Sequence, residues 1–384
     1  MIFRPFSVII VASSDSPVAT CHIAAMDATP TFCTIIPPHV LDKMATSEDR
    51  ALSDLGRRTL ERDAYERTHR RLTTVIGAPS IAGAIVSEQP KRTIFDAKHQ
   101  TALPGRKCRG EADKDSKDQT VNRAHAGLGA TFELYLKAYG RHSIDDQGLP
   151  LNATVHYSQG YNNAFWNGEQ MVFGDGDGEI FLDFTLPIDV IGHELTHGVT
   201  QYTANLTYFG QSGALNESMS DVFGSLIKQY SLQQTADTAD WLIGAGLLGP
   251  NIHGDALRSM RAPGTAYDDP QLGKDPQPGS MDQYVTTGRD NGGVHINSGI
   301  PNHAFYLVAE SLGGYAWEKA GQIWYDVLTG GEISTKATFA EFARLTVSAA
   351  QARFGEGEAH QAVLKAWSQV GVPTSTGNGA DLPR

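Results

Sequence analysis

The sequence predicts an α+β protein, with strands gathered in the first half, helices in the second, and a histidine-bearing helix between them. Three observations predict this. The segments ATVHY and EQMVF alternate apolar and polar residues with the period of half-buried strands. The stretch from Asn302 to about Val370 reads as mostly helical with glycine breaks, its Leu, Val, Trp and Tyr residues forming core. Between them lies LPIDVIGHELTHGVTQYT, where Pro187 precedes the first turn and Asp189 sits inside it, a favourable helix start.

The totals are those of a chain with a normal core. There are 384 residues, enough for two or three domains, 40% hydrophobic and 19% charged. The 40 glycines exceed average usage and fit many turns and long shaped loops. A net charge of −12 argues against nucleic acid as a partner. No run of about 18 apolar residues exists, so no membrane span is expected. Three cysteines, Cys21, Cys33 and Cys108, form neither a disulfide framework nor a CxxC metal pair.

Residues 1–30 carry no clear pattern, and MIFRPFSVIIVA is a poor secretory signal, with a short apolar run and a weakly charged flank. In FCTIIPPHVLDKMA, Pro37-Pro38 predicts an extended segment. Ser47 reads as the N-cap of a helix with Glu48 and Asp49 in its first turn. That helix carries Arg57, Arg58, Arg62, Arg67, Arg70 and Arg71, either a solvated face or one that meets an acidic partner within the chain. TTVIGAPSIAGAIVSEQP reads as a linker with a short strand. RTIFDAKHQTALPG has strand character, and GEADKDSKDQT is a polar loop. Leu128, Phe132, Tyr135, Leu136 and Tyr139 recur at helical spacing, with Gly140 as C-terminal cap. ATVHY and EQMVF are expected to form a hairpin with Asn163-Ala164 at its edge, where an open strand offers backbone groups to an extended peptide. Ala214–Tyr230 is expected to be a second long helix, and the tail 374–384 to be disordered.

The chemistry is concentrated in HELTH. On a helix, His193 and His197 stand on one face one turn apart and can share a metal ion, usually zinc. Glu194, next to the first ligand, reaches a water rather than the metal. A catalytic zinc needs a third protein ligand and one open position. Glu217 in NESMSD is the candidate, and Asp221, four residues on, is placed to accept the outer N–H of a ligand histidine. A zinc so held can polarise a carbonyl and activate its bound water, with Glu194 placed to carry the proton.

HELTH followed by GALNESMSD resembles the thermolysin family of zinc endopeptidases, over roughly Arg92 to Pro373. The resemblance implies a two-lobed thermolysin-like zincin: a β-rich N-terminal lobe over 91–200 ending in the HELTH helix, and an α-helical C-terminal lobe over 201–373. IIPPHVL ahead of a helix is similar to the short propeptide of the protealysin-like branch, which implies a propeptide over 31–80 that covers the cleft as an intramolecular inhibitor until removed. Cys33 or the Pro-Pro segment is expected to reach toward the zinc in that precursor. His295, by itself an ordinary loop histidine, and Tyr208, by itself a core residue, become by resemblance the oxyanion donors, with Asp290 orienting His295. Arg258, by itself readable as a structural salt-bridge residue, matches an arginine that binds a substrate carbonyl. YNNAFWNG matches the substrate-binding edge strand at Asn163 and Ala164. Val190 and Leu257 match walls of the pocket after the scissile bond, implying preference for a bulky apolar residue there.

The resemblance further implies a self-processed, monomeric, secreted enzyme acting on proteins and peptides. The weak signal leaves a cytoplasmic precursor with leaderless export as the alternative route. Larger family members hold two calcium ions beside the second helix. Here the matching positions are Lys228, Leu242 and Ala245, with only Asp240 retained, so that double site is expected to be absent, while Asp255 is a candidate for one peripheral calcium. Two rivals are an aminopeptidase, for which no amine-holding acidic motif is present, and a binding protein on a decayed protease, against which Glu194, His295 and all three ligands stand.

Overall fold

The structure, a computed structural model, describes residues 33–74 and 87–375, with the side chains of 71–74 left aside. The N-terminal extension over 1–30 with its weak signal, most of the linker, and the tail beyond 375 lie outside the described residues.

The chain enters along the cleft at Cys33 and turns at Pro37 into helix α1 (Pro38–Ala45). The expected extended stretch therefore ends at Pro37, whose ψ is 144°, because proline at the first helical position sacrifices only an N–H with no helical partner. Helix α2 follows (Arg50–Thr74). Its start is capped two residues later than expected. The Asp49 carboxylate, not the Ser47 hydroxyl, accepts the free N–H groups of Ala51 and Leu52, at 2.8 and 3.4 Å. Ile35, Ile36, Val40, Leu41, Met44 and Leu52 join the main apolar core, so this segment is packed as part of the folded body.

Strands β1 (Arg92–Asp96) and β2 (Arg106–Gly110) precede helix α3 (Gln119–Tyr139), which Asp118 caps at its start and a left-handed Gly140 closes. Strands β3 (Leu151–Val155), β4 (Ala164–Trp166) and β5 (Met171–Phe173) complete a five-stranded sheet ordered β2-β1-β3-β5-β4. The hairpin expectation is corrected here. Only the ATV of ATVHY lies in β3, which runs parallel to β5, while the antiparallel partner of β5 is β4. The supposed turn between ATVHY and EQMVF itself contains AFW, and a turn that carries a strand cannot be tight. Strand β4 consequently lies at the sheet edge, where Thr34 bridges Phe165 in antiparallel sense.

Helices α4 (Ile188–Gln201) and α5 (Gly210–Leu232) cross at close range. Glycines make that approach possible. A Cβ at Gly224 would lie 2.6 Å from the Asp189 carbonyl oxygen and 3.1 Å from the His193 nitrogen, and one at Gly192 would lie 3.2 Å from the Gly224 Cα. Beyond them come two small antiparallel pairs, β6 (Leu242–Ile243) with β7 (Arg258–Ser259) and β8 (Asp268–Asp269) with β9 (Gly273–Lys274). The chain ends in α6 (Asp290–Asn297), α7 (Gly299–Leu312), α8 (Ala320–Thr329), α9 (Phe339–Phe354) and α10 (Glu358–Gln369). Trp324 and Trp367 stack 6.1 Å apart within that helical half.

Candidate functional site

The α4–α5 crossing brings the HELTH and NESMSD side chains together. His193 Nε2 and His197 Nε2 stand 3.1 Å apart, and both lie 3.5 Å from Glu217 carboxylate oxygens. The far ring nitrogens fix the tautomers. His193 Nδ1 donates to Asp221 Oδ1 at 2.8 Å. His197 Nδ1 donates to Asn216 Oδ1 at 2.8 Å, and the Asn216 amide is held that way round by its N–H bond to the Leu206 carbonyl. Both Nε2 atoms are therefore lone-pair donors aimed at one point beside a carboxylate whose Oε2 is buried without a hydrogen-bond partner. Such a convergence of electron pairs is repulsive unless a cation fills it, and two imidazoles with one carboxylate is a zinc donor set. Burial holds His197 neutral, its pKa driven down to about 3. The Sγ of buried Cys33 also lies within 4.8 Å of donor atoms of His197 and Glu217.

Asp221 is the hub behind the ligands. Arg258 grips it in two bonds of 2.8 Å, and Asn302 on α7 donates to its Oδ2 at 2.8 Å. Although burial opposes ionisation, the Arg258 guanidinium and His193 hold this carboxyl well below the usual range. Glu194, fully buried, accepts the Trp166 N–H with Oε2 at 3.1 Å and keeps Oε1 without a partner. Burial, helped by the nearby Glu217 charge, raises its pKa well above the ordinary carboxylate value.

Opposite the ligands, the backbone of α6 departs from helix at Asn291, Gly292 and Gly293, whose φ values are 49°, 84° and 79°. That left-handed bend lets Asp290 turn back on His295, accepting its Nδ1–H at 2.6 Å and its backbone N–H at 2.9 Å. Burial works against a charged ring, but Asp290 and Glu217 outweigh it and carry the His295 pKa up to about 9. Tyr208 Oη stands 3.3 Å from His295 Nε2 and donates to Glu217.

Two family models cover most of the chain. The thermolysin metallopeptidase catalytic domain matches residues 84–201, and the thermolysin metallopeptidase alpha-helical domain matches residues 204–372. The chain belongs to the thermolysin family of metallopeptidases. It is 50% identical over 341 residues to an extracellular metalloprotease of Pectobacterium carotovorum subsp. carotovorum, covering 89% of this chain and 96% of that one. It is 40% identical over 291 residues to thermolysin of Alicyclobacillus acidocaldarius subsp. acidocaldarius, covering 72% of this chain and 50% of that one. Among solved structures, the precursor of protealysin, a metalloproteinase from Serratia proteamaculans, superposes with a TM-score of 0.81 at 52% identity, covering 89% of this chain and all of that one. The fold is thus the two-lobed thermolysin type, on the protealysin branch, and thermolysin-family enzymes use zinc.

In this thermolysin-family protease the cleft is filled by its own N-terminal segment. Ile35 N–H donates to the Ala164 carbonyl at 3.2 Å, and Ile36 N–H to Asn163 Oδ1 at 2.9 Å. Arg258 Nη1 reaches the Ile35 carbonyl at 3.2 Å, and His295 Nε2 reaches the Thr34 carbonyl at 3.1 Å. Val190 and Leu257 are buried in the same apolar cluster as Ile35.

Helix α2 seals the outer side through Asp63 and Glu66, which the sequence pattern did not single out, and Arg70, which it gave only as one arginine of a basic face. Asp63 accepts from the Tyr161 hydroxyl and from Asn163 Nδ2, the latter at 3.0 Å. Glu66 accepts from the Tyr157 hydroxyl. Arg70 donates to the Trp166 carbonyl at 2.8 Å and to Gln201 Oε1 at 2.6 Å. Spacings of three, four and seven along a helix were the available signal, hidden by the surrounding arginines. Burial raises the Asp63 pKa to about 7 against the pull of its two hydrogen bonds. Docked α2 therefore binds a proton that free α2 releases. Docking is strongest below about pH 4 and weakens up to about pH 7, by at most about tenfold per pH unit. An Asp63→Asn precursor should lose most of the pH dependence of propeptide dissociation between pH 5 and 7, measured by size-exclusion of the nicked complex. An unchanged profile would assign that dependence to other groups.

The second cluster lies behind α4. Lys228 Nζ is 2.8 Å from Asp189 Oδ2, 2.8 Å from Asp240 Oδ1 and 2.6 Å from the Leu242 carbonyl. Gly244 N–H donates to the other Asp189 oxygen at 3.2 Å. Asp255 is exposed and belongs to no group of three close metal-donor side chains among the described residues.

Proposed function

We propose that the protein is a zinc endopeptidase that cuts before bulky apolar residues and is made as a precursor, its segment 31–80 inhibiting the cleft until self-removed. His193, His197 and Glu217 hold one zinc, and Asp221 fixes the tautomer of His193. When bound, the metal supplies Lewis-acid polarisation and an activated water. Glu194 Oε1 takes the water proton and carries it to the leaving amine. His295, charged through Asp290, and Tyr208 donate to the oxygen that gains charge. Arg258, Asn163 and Ala164 fix the peptide backbone, and Val190 and Leu257 line the side-chain pocket beyond the cut. Cys33 serves as a fourth, blocking ligand in the precursor.

The observation that carries this reading is the convergence of two oriented imidazole lone pairs and one buried carboxylate beside an unpartnered Glu194 oxygen. The ammonium of Lys228 replaces calcium at the position beside α5, so no double calcium site forms there. The relatives named extracellular support secretion of the mature enzyme. Mature protein given a peptide blocked at both ends should cleave it internally on the N-terminal side of Leu, Ile or Phe. Activity should vanish with a chelator and return with about one equivalent of zinc. Cleavage that survives complete zinc removal, or that requires a free amino terminus, would overturn the assignment. Mass spectrometry of the product should place the mature start between residues 75 and 90.

A further inference from the structure

We propose that the Thr34–Ile35 peptide bond lies in the scissile position of the cleft, in productive direction, and that it is spared because Cys33 occupies the donor position a catalytic centre leaves open. The proposal rests on the zinc-peptidase reading above.

Direction and register come from the backbone contacts. The segment runs antiparallel to β4, with Thr34 opposite Phe165. Two carbonyls in succession are claimed by different cations. Thr34 faces His295, the ring that Asp290 orients, with Tyr208 on the same ring nitrogen. Ile35 faces Arg258, which Asp221 clamps. Only the Thr34 carbonyl therefore meets the group suited to a developing oxyanion. The atom bonded to its carbon is the Ile35 nitrogen, whose hydrogen already points at the Ala164 carbonyl, an acceptor equally suited to the amine that leaves. Ile35 is fully buried and is the bulky apolar residue that the pocket beyond the cut would take.

Helix α2 tightens the same register. Asp63 binds Asn163 Nδ2, which forces Asn163 Oδ1 toward Ile36 N–H and Ala164 N–H. An inhibitor segment held only by its sulfur would need none of this. Cys33 Sγ, close to the donors of His197 and Glu217, closes the metal shell to four protein groups. Structural zinc sites are closed in this way, whereas catalytic ones keep a place for water.

With the sulfur removed, one water is consumed. Its oxygen bonds to the Thr34 carbonyl carbon, and the carbon–nitrogen bond to Ile35 breaks. Glu194 carries both water protons in turn to the Ile35 nitrogen. The products are a Thr34 carboxylate and an Ile35 ammonium.

The test uses the zinc-loaded full chain as wild type, Cys33→Ala and Cys33→Ala/Glu194→Gln, followed by mass spectrometry before any propeptide dissociates. Cys33→Ala should release a fragment ending at Thr34 and expose Ile35 as a new N-terminus, at a rate independent of protein concentration. The other two chains should keep the bond. In parallel, hydrogen exchange on the metal-free chains should find the Ile35 and Ile36 amides protected whether or not Cys33 is present. Cys33→Ala that cleaves a blocked peptide in trans but keeps the Thr34–Ile35 bond overturns the proposal. So does loss of amide protection in metal-free Cys33→Ala, which would mean that the sulfur alone holds the segment. Mature wild-type enzyme that fails on the blocked peptide overturns the peptidase reading, and this proposal with it, so the two failures are distinct.

Discussion

Replacing Glu194 by Gln should lower kcat/KM of the mature enzyme by about 10²–10⁴-fold, the usual worth of a positioned proton carrier. Glutamine keeps the side-chain length and the Oε acceptor needed for the 3.1 Å bond from Trp166 N–H, so the edge strand should hold its place. The amide cannot take a proton from water near neutral pH, and that capacity is the only function lost. The proposed zinc ligands are His193, His197 and Glu217, none of which is altered, so metal content should stay near one equivalent. Metal analysis beside peptide hydrolysis separates the two effects. Glu194→Gln with normal turnover would remove Glu194 from the chemistry, and loss of zinc would show that its role is structural.

Lys228→Met should destabilise the protein by about 3–5 kcal/mol, because it strands the fully buried Asp189 charge. Burial disfavours the Lys228 charge, yet Asp189 and Asp240 outweigh it and raise its pKa, so the ammonium persists throughout the physiological range. Methionine retains the volume and the apolar stem but none of the three polar contacts. The denaturant midpoint should fall at constant slope. Adding calcium should not restore it, since Leu242 and Ala245 offer no side-chain ligand at the matching positions. Combining Lys228→Met with Asp189→Asn should recover part of the loss, because the stranded charge is then gone. A single variant as stable as wild type would mean that water, not Lys228, satisfies Asp189.

Much of the site was legible in the primary structure because its parts are local. The HELTH spacing places two rings on one helical face whatever surrounds them. NESMSD does the same for Glu217 and Asp221 on the next helix. The fold class followed from strand alternation ahead of helical runs. Sequence and structure diverge where a residue's state depends on partners far away in the chain. Alternation predicts a hairpin of β3 with β5, yet the two run parallel, since periodicity reveals a strand but not its neighbour. Ser47 reads as the cap with Asp49 in the first turn, whereas Asp49 itself caps, because only the entering backbone fixes where the helix begins. Pro37-Pro38 gave an extended segment that in fact ends at the first proline.

Local spacing alone thus determined which side chains share a helical face as candidate metal donors, with Glu194 beside the first of them, since helix geometry links neighbours within a turn. Tertiary structure alone decided how those groups are held and what covers them. Asp221 is clamped by Arg258 and Asn302, from 37 and 81 residues away. Asp63 reaches 100 residues along the chain to set the Asn163 amide, and Thr34 comes to rest beside His295 across 261. Such contacts leave no periodic trace, because their energy comes from groups that share a buried space and not a stretch of backbone.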